Sequence, residues 1–377
     1  MMTATEIASL RDYVSHDHPV VSLYLDVDGA RFPRRGDYEA EFSFLVHEAR
    51  RRARQELGLG KDQEEALGAG LSALGEYLAL EFEREGARGL VVFSCRQEDF
   101  WRVILLKQPV ENKLLVDFKP RIAPLVESLS GYEHFCVLLT NKEMARIFHA
   151  YDGELAERSD ILDQVPKRHN QGGWEQNKLQ RWHEKEVRIH LKKTSDVTFD
   201  FFRAERFDHF AVGISDELWP ELEKVLHPYL KERLAGRFNV DINANINEVE
   251  AKLFSIEEEE RRRETQELLD SLGPELEAGK NYVGGLDDVL AAVNERRVDL
   301  LIAERGFSRT GRKCNACSTV SFGEETCPNC RLDMTPLTDV VEEAKELAVR
   351  QDARLITVPP GHPALKQAGG IAARLRY

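Results

Sequence analysis

The most informative stretch of the chain covers residues 166–183 and reads PKRHNQGGWEQNKLQRWH. Two adjacent glycines, Gly172 and Gly173, stand at its centre. Glycine has no Cβ, so a Gly-Gly pair allows positive φ and lets the main chain approach a partner closely. The stretch therefore predicts a loop that can come close to another molecule and that leads into a basic helix.

The same segment is strongly basic in an acidic protein. Between residues 166 and 193 there are eight Lys or Arg and three Glu, whereas the whole chain has a formal charge of -14. Cations bind phosphates and exposed aromatic rings stack on bases, so this composition suits docking into RNA. The alternative is an ordinary loop before a solvated helix, and composition alone does not separate the two. The residues predicted to contact RNA are Lys167, Arg168, His169, Trp174, Lys178, Arg181, Lys185 and Arg188.

On both sides of this segment, strand-like and helix-like patterns alternate along the chain, which predicts an α/β fold in three parts. The first part, 1–128, has a β-branched strand at 20–27 and amphipathic helices at 38–56 and 63–83. The second, 129–268, contains strands at 135–140, 145–150 and 210–214 around the basic segment 166–193. The third, 269–377, has strands at 298–303 and 353–358, separated by a helix at 339–351.

A helix start is predicted near the end of the second part. Ser255 is followed three residues later by Glu258, the spacing of a capping box in which both side chains satisfy free backbone amides. Acid-to-base pairs such as Glu257 with Arg261 then stabilise the helix. We expect this helix to be a solvated connection between domains.

Composition excludes several classes of protein. The 377 residues are 42% hydrophobic and 31% charged, and no window approaches the ~20 apolar residues of a membrane-spanning helix. The first residues carry an early acid, Glu6, and lack the features of a secretory signal. The sequence thus predicts a cytoplasmic protein with no membrane partner, whose contacts with RNA are local because the overall charge repels phosphates.

The cysteines indicate a metal site. Four of the six form two CxxC pairs, Cys314 with Cys317 and Cys327 with Cys330. Each pair places two thiolates on one tight turn, and two such turns form the tetrahedral four-sulfur cage that zinc prefers. Since all four positions are sulfur, the metal is expected to be structural, in a ribbon at 312–333. The alternative is a degenerate ribbon without metal.

The order of these features resembles the archaeal and eukaryotic class 1 peptide-chain release factors and Pelota. The Pro-Lys-Arg-His sequence, the two glycines and the basic helix are similar to the GGQ loop of that superfamily. Residues 282–290 and the ending 369–377 resemble its last domain. The resemblance implies a decoding-side N-terminal domain, a central RNase H-like domain whose loop reaches the peptidyl transferase centre, and a C-terminal α/β domain of the kink-turn-binding type with the zinc ribbon inserted. It places the chain in a bacterial branch with the Balon-type ribosome-binding proteins.

The sequence departs from the family at the residue that matters for hydrolysis. Trp174 stands where the motif has the Gln that positions water at the peptidyl-tRNA ester. Gly172 and Gly173 keep the backbone part of the site, and Gln176 or Gln171 is a candidate substitute for the missing amide. A stacking role on RNA fits the Trp174 ring better. The elements that read stop codons are also missing from the first part of the chain.

Three functions remain open at this point. The first is a factor that occupies the ribosomal A site without regard to codon, in hibernation or protection, and contacts rRNA and the P-site tRNA. The second is a rescue factor that hydrolyses peptidyl-tRNA through Gly172, Gly173 and Gln176. The third is a protein that binds another RNA or tRNA. Whether a GTPase such as elongation factor Tu delivers the factor is left open by the sequence.

Overall fold

The computed structural model describes residues 4–129, 134–151, 154–158, 176–279 and 281–377, with the helix at 176–184 described by its backbone alone. The chain divides into two compact units. One comprises residues 131–266, and the other comprises residues 2–130 together with 267–377. Within the described ranges, no helix is long and apolar enough to cross a membrane.

The N-terminal part of the larger unit is an antiparallel sheet with helices. Its strands follow the order β3-β2-β1-β4, and every residue of β1 and β2 is buried because both faces of the sheet are covered. The elements are α1 (Ala4–Asp12), β1 (Val20–Asp26), α2 (Arg35–Glu56), α3 (Lys61–Glu76) with a π-helical turn (Tyr77–Glu81), β2 (Gly89–Cys95), β3 (Phe100–Leu106), β4 (Lys113–Asp117) and α4 (Ala123–Leu129).

The smaller unit is built on a mixed five-stranded sheet with the order β7-β6-β5-β8-β9. The pairs β5–β6 and β6–β7 are antiparallel, while β5–β8 and β8–β9 are parallel. Its elements are β5 (Phe135–Thr140), β6 (Ala145–Tyr151), β7 (Glu154–Glu157), α5 (Gln176–Ala204), β8 (His209–Gly213), α6 (Trp219–Val225), α7 (Pro228–Glu232), β9 (Leu234–Phe238) and α8 (Ile246–Ala278), of which the part after 266 is assigned to the larger unit.

A glycine fixes the packing where β5 and β8 end. A Cβ on Gly213 would lie 2.2 Å from Leu139 Cδ2 and 3.1 Å from Phe238 Cε2. No side chain fits at that distance, so the glycine lets three neighbouring strands close around the core.

The C-terminal part of the larger unit carries a second sheet and a small third one. The sheet has the order β10-β16-β11-β15, with β11–β15 parallel, and the small sheet has the order β13-β12-β14. The elements are β10 (Tyr282–Gly284), α9 (Leu286–Asn294), β11 (Val298–Glu304), β12 (Gly311–Lys313), β13 (Val320–Ser321), β14 (Thr335–Leu337), α10 (Val340–Arg350), β15 (Arg354–Val358), α11 (Pro363–Gln367) and β16 (Ile371–Leu375).

The predicted α/β class is confirmed as a mixed α/β structure with several sheets. The predicted helix start at Ser255 is wrong. The helix begins at Ile246, and Ser255 is exposed in its interior. A capping box does exist ten residues earlier, because the Asn245 amide donates to Glu248 Oε2 and the Glu248 amide donates to Asn245 Oδ1, both at 3.1 Å. The division at 128/129 and 268/269 stays a prediction.

Candidate functional site

The structure describes only part of the predicted RNA-binding segment. Lys167, Arg168, His169, Gly172, Gly173 and Trp174 lie outside the described residues. Gln176, Lys178 and Arg181 lie on α5, but their side chains also fall outside the described set. Lys185 and Arg188 are described, and both are exposed.

Helix α5 has a buried stretch, preceded along the helix by two exposed cations. Leu191, Ser195 and Thr198 are fully buried against the unit, and Ser195 Oγ accepts a hydrogen bond from the His227 amide at 2.9 Å. Lys185 and Arg188 lie one to two turns before Leu191, nearer the N-terminus of the helix, and both are exposed. The burial of one face holds the helix in place, so the two cations are presented to a partner from a rigid element.

An aromatic surface on the same unit was not predicted from the sequence. The rings of Phe199 and His227 stack with centroids 3.5 Å apart and an angle of 13° between planes. The Tyr229 ring is nearly parallel to that of His227, 5.7 Å away, and Tyr229 is 52% exposed. The Arg233 guanidinium lies 6.0 Å from the Tyr229 ring. Nearly thirty residues separate Phe199 from His227 in sequence, so no local pattern could reveal this surface.

The two CxxC turns have the same backbone structure. In each, the amide of the first cysteine donates to the carbonyl five residues later, and the amide four residues later donates to the first cysteine. These bonds are 2.8–2.9 Å long for Cys314–Thr319, Ser318–Cys314, Cys327–Leu332 and Arg331–Cys327. The residue after each second cysteine has positive φ, 60° at Ser318 and 63° at Arg331. The repeated geometry turns all four sulfurs toward one point.

The four sulfurs fit a single metal ion. They lie within 4.8 Å of one another, with Sγ–Sγ distances of 3.3 Å for Cys314–Cys330, 3.5 Å for Cys317–Cys327 and 3.7 Å for Cys317–Cys330. A tetrahedral ion with bonds of about 2.3 Å to sulfur needs sulfurs about 3.8 Å apart. The predicted cysteines therefore come together, and they could hold a metal.

Backbone amides lower the pKa of two of these thiols. The Cys330 amide lowers the pKa of the Cys327 thiol to about 6, and the Cys317 amide lowers the pKa of Cys314. The Leu332 amide lowers the pKa of Cys330 too, but its hydrogen bond with Cys314 and its burial outweigh that effect and raise the pKa to about 12. Four thiolates this close need a cation before all of them ionise.

A second cluster, His209 with Glu260 and Glu264, does not aim its ligand atoms at one point. His209 Nδ1 lies 3.6 Å from Glu260 Oε1, and Nε2 lies 3.7 Å from Glu264 Oε1. The two carboxylates thus approach opposite nitrogens of one ring, which a single ion cannot use together. Arg263 also donates to Glu260 and supplies the positive charge that the buried carboxylate needs.

Comparisons with known proteins agree with the resemblance found in the sequence. Residues 120–258 match the family model "Bacterial archaeo-eukaryotic release factor family 10". Peptide chain release factor subunit 1 of Thermococcus sibiricus is 22% identical over 284 residues, which cover 67% of this chain and 68% of that protein.

Two solved structures align at low identity. The crystal structure of an archaeal translation termination factor is 16% identical, covers 99% of this chain and 97% of that chain, and has a TM-score of 0.26. Pelota of Archaeoglobus fulgidus is 14% identical, covers 79% of this chain and 81% of that chain, and has a TM-score of 0.38. The family match spans Gly172 and Gly173, and together with the curated relative it shows that the chain is similar to peptide-chain release factors of the archaeal and eukaryotic type, as the resemblance predicted.

Proposed function

We propose that this protein binds the ribosomal A site independently of the stop codon and acts in ribosome hibernation or protection. The observation that carries the proposal is the combination at residues 172–174. The two glycines of a release-factor loop are kept, but Trp174 replaces the glutamine that hydrolysis requires. Such a loop can enter the peptidyl transferase centre, contact rRNA and the P-site tRNA, and leave the ester intact.

Features of the smaller unit support this docking. Its strand order, with three antiparallel strands followed by two parallel ones, is consistent with the RNase H-like sheet that the resemblance implies. Lys185 and Arg188 are exposed on α5, the helix that follows the Gly-Gly segment. The Tyr229 ring adds an exposed stacking face on the same unit. A translational GTPase such as elongation factor Tu is the class of partner that would deliver the factor.

We also propose that Cys314, Cys317, Cys327 and Cys330 hold a structural zinc ion. The fit of the sulfur distances to a tetrahedron and the low pKa of Cys327 support it. Four thiolates fill the coordination of zinc, so no position is left for substrate or water.

The second candidate is codon-independent rescue by hydrolysis of peptidyl-tRNA. It is favoured by Gly172 and Gly173, because a loop that only fills space has less need of a backbone so close to the reaction centre. In that case the loop amides stabilise the developing oxyanion, and Gln176 supplies the amide that Trp174 lacks.

The docking of α5 is tested by replacing both Lys185 and Arg188 with alanine. Because each phosphate contact contributes about one unit to the salt dependence, the slope of log K against log salt for ribosome binding should fall by about 2. The measurement is sedimentation with ribosomes at several salt concentrations. Lys224→Ala is the matched control, because Lys224 is exposed and paired with Glu221 at 2.6 Å. An unchanged slope in the double variant would remove α5 from the RNA interface.

A further inference from the structure

The N-terminal and C-terminal sheets of the larger unit share one hydrophobic core. Tyr24 and Phe93 of the first sheet belong to the same buried cluster as Val293 of α9 and Ala344 of α10. All four residues are fully buried. The two sheets are therefore packed as one body, although more than 150 residues of chain separate them.

A buried ion network crosses this shared core. The Arg121 guanidinium donates to the Glu343 carboxylate and to the Glu342 carbonyl at 3.1 Å. The Ala123 amide donates to Glu346 Oε2 at 2.9 Å. The side chains of Arg121, Glu343 and Glu346 are 10%, 5% and 1% exposed. A buried charge without its partner is strongly unfavourable, so the network holds only while all its members stay in place.

The cysteine ribbon is tied into this network by the residue next to its first ligand. Lys313 immediately precedes Cys314, and its Nζ lies 2.7 Å from Glu343 Oε1. Glu343 is thus held by Lys313 from the ribbon and by Arg121 from the N-terminal part. The ribbon also lies directly against α10, because a Cβ on Gly311 would lie only 2.5 Å from Val340 Cβ.

The ribbon has almost no apolar core of its own. The buried cluster inside it consists of Cys314, Cys327 and Met334, with Cys330 packed against them. A fold with so small a core depends on its metal for stability. We therefore expect loss of the ion to loosen β12, and with it the position of Lys313.

We propose that metal binding at the four cysteines controls the closure of the N-terminal sheet onto the C-terminal sheet, through Lys313, Glu343 and Arg121. With metal bound, Glu343 has two buried cationic partners and the two sheets form a rigid module. Without metal, Glu343 keeps only Arg121, and the interface opens more often. The inference rests on the metal site proposed above and is independent of ribosome binding.

Hydrogen exchange of the full chain, measured by mass spectrometry, tests this coupling far from the cysteines. Zinc content is measured first, and exchange is then compared in zinc-loaded and chelated protein. We expect chelation to accelerate exchange at least threefold at residues 113–129, where the Ala123 amide reports on Glu346. Faster exchange confined to residues 311–337, in protein that had bound zinc, would overturn the coupling and leave the metal site standing. Protein that binds no zinc would contradict both.

Two neighbouring variants separate the coupling from the stability of the ribbon. Lys313→Gln should keep one equivalent of zinc and still speed exchange at residues 113–129, and Lys313→Arg should restore protection. Arg312→Gln is the control, because Arg312 lies on the same strand but bonds to Met334 and Glu325 within the ribbon. Zinc-loaded Lys313→Gln that exchanges like the wild type at residues 113–129 would contradict the proposal. If this variant does not fold, the comparison of zinc-loaded and chelated wild-type protein still tests the proposal.

Discussion

At the scale of single residues, the spacing of the four cysteines in the ribbon is enough to predict a metal site. The ligands of each pair are three positions apart, so the sequence alone predicts which sulfurs come together. The backbone conformation that orients these sulfurs, with positive φ at Ser318 and Arg331, could not be predicted from the sequence. Neither residue is a glycine, and only the closed backbone hydrogen bonds of each turn show why that conformation is stable.

Replacing Cys314 with serine should remove the metal. A hydroxyl stays protonated where a thiolate is needed, so zinc content after dialysis should fall below about half an equivalent per chain. Elemental analysis of the purified variant checks this result. Cys95→Ser is the control, since Cys95 is equally buried but lies on β2 outside the ribbon. Stoichiometric zinc in Cys314→Ser would contradict a four-thiolate site.

At the scale of elements, the strands and helices with a strong local pattern were predicted, and those decided by distant contacts were not. Strand β5 has a continuous apolar run, and the structure has it at Phe135–Thr140. The predicted start of α8 lies ten residues too late, because two capping boxes are possible and the helix begins at the one formed by Asn245 and not at Ser255. The Arg121–Glu343 pair joins residues 222 positions apart, which no single-sequence pattern can show.

The two capping boxes can be distinguished by mutation. Asn245→Ala removes the side chain that accepts from the Glu248 amide, so the free energy of unfolding should fall by about 1 kcal/mol. Ser255→Ala should change it by less than about 0.5 kcal/mol, since Ser255 is an exposed position inside the helix. Urea unfolding of both variants makes the comparison. Equal losses, or a larger loss at Ser255, would show that the helix start is misplaced.

At the scale of the whole molecule, the buried ion network makes the free energy of unfolding depend on pH. Burial by itself would raise the pKa of both Glu342 and Glu343. Lys113 and Lys345 beside Glu342 instead lower its pKa to about 2. Arg121 and Lys313 do the same for Glu343, whose pKa is also about 2. Each carboxylate therefore stabilises the folded chain above its unfolded pKa of about 4.3. That contribution is lost as the pH falls toward 2.

Each carboxylate should contribute about 3 kcal/mol at neutral pH, and most of it should disappear between about pH 5 and pH 2. Urea unfolding across this range measures the loss, and the difference between wild type and Glu343→Gln removes the contribution of the cysteines, which is common to both proteins. Glu343→Gln should flatten the pH dependence, whereas Glu325→Gln should not, because Glu325 is 82% exposed. A wild-type stability that is constant from pH 5 to pH 2 would contradict the network.

One sedimentation experiment tests whether the protein binds the ribosome without hydrolysing peptidyl-tRNA. Ribosomes with labelled peptidyl-tRNA in the P site and an empty A site are pelleted through a cushion with and without the protein. We predict that the protein pellets with the ribosomes and that the label stays bound, as expected for a loop with Trp174 beside Gly173. Release of the label, abolished by Gly173→Ala, would make the protein a rescue hydrolase instead. Protein that stays in the supernatant would contradict ribosome binding altogether.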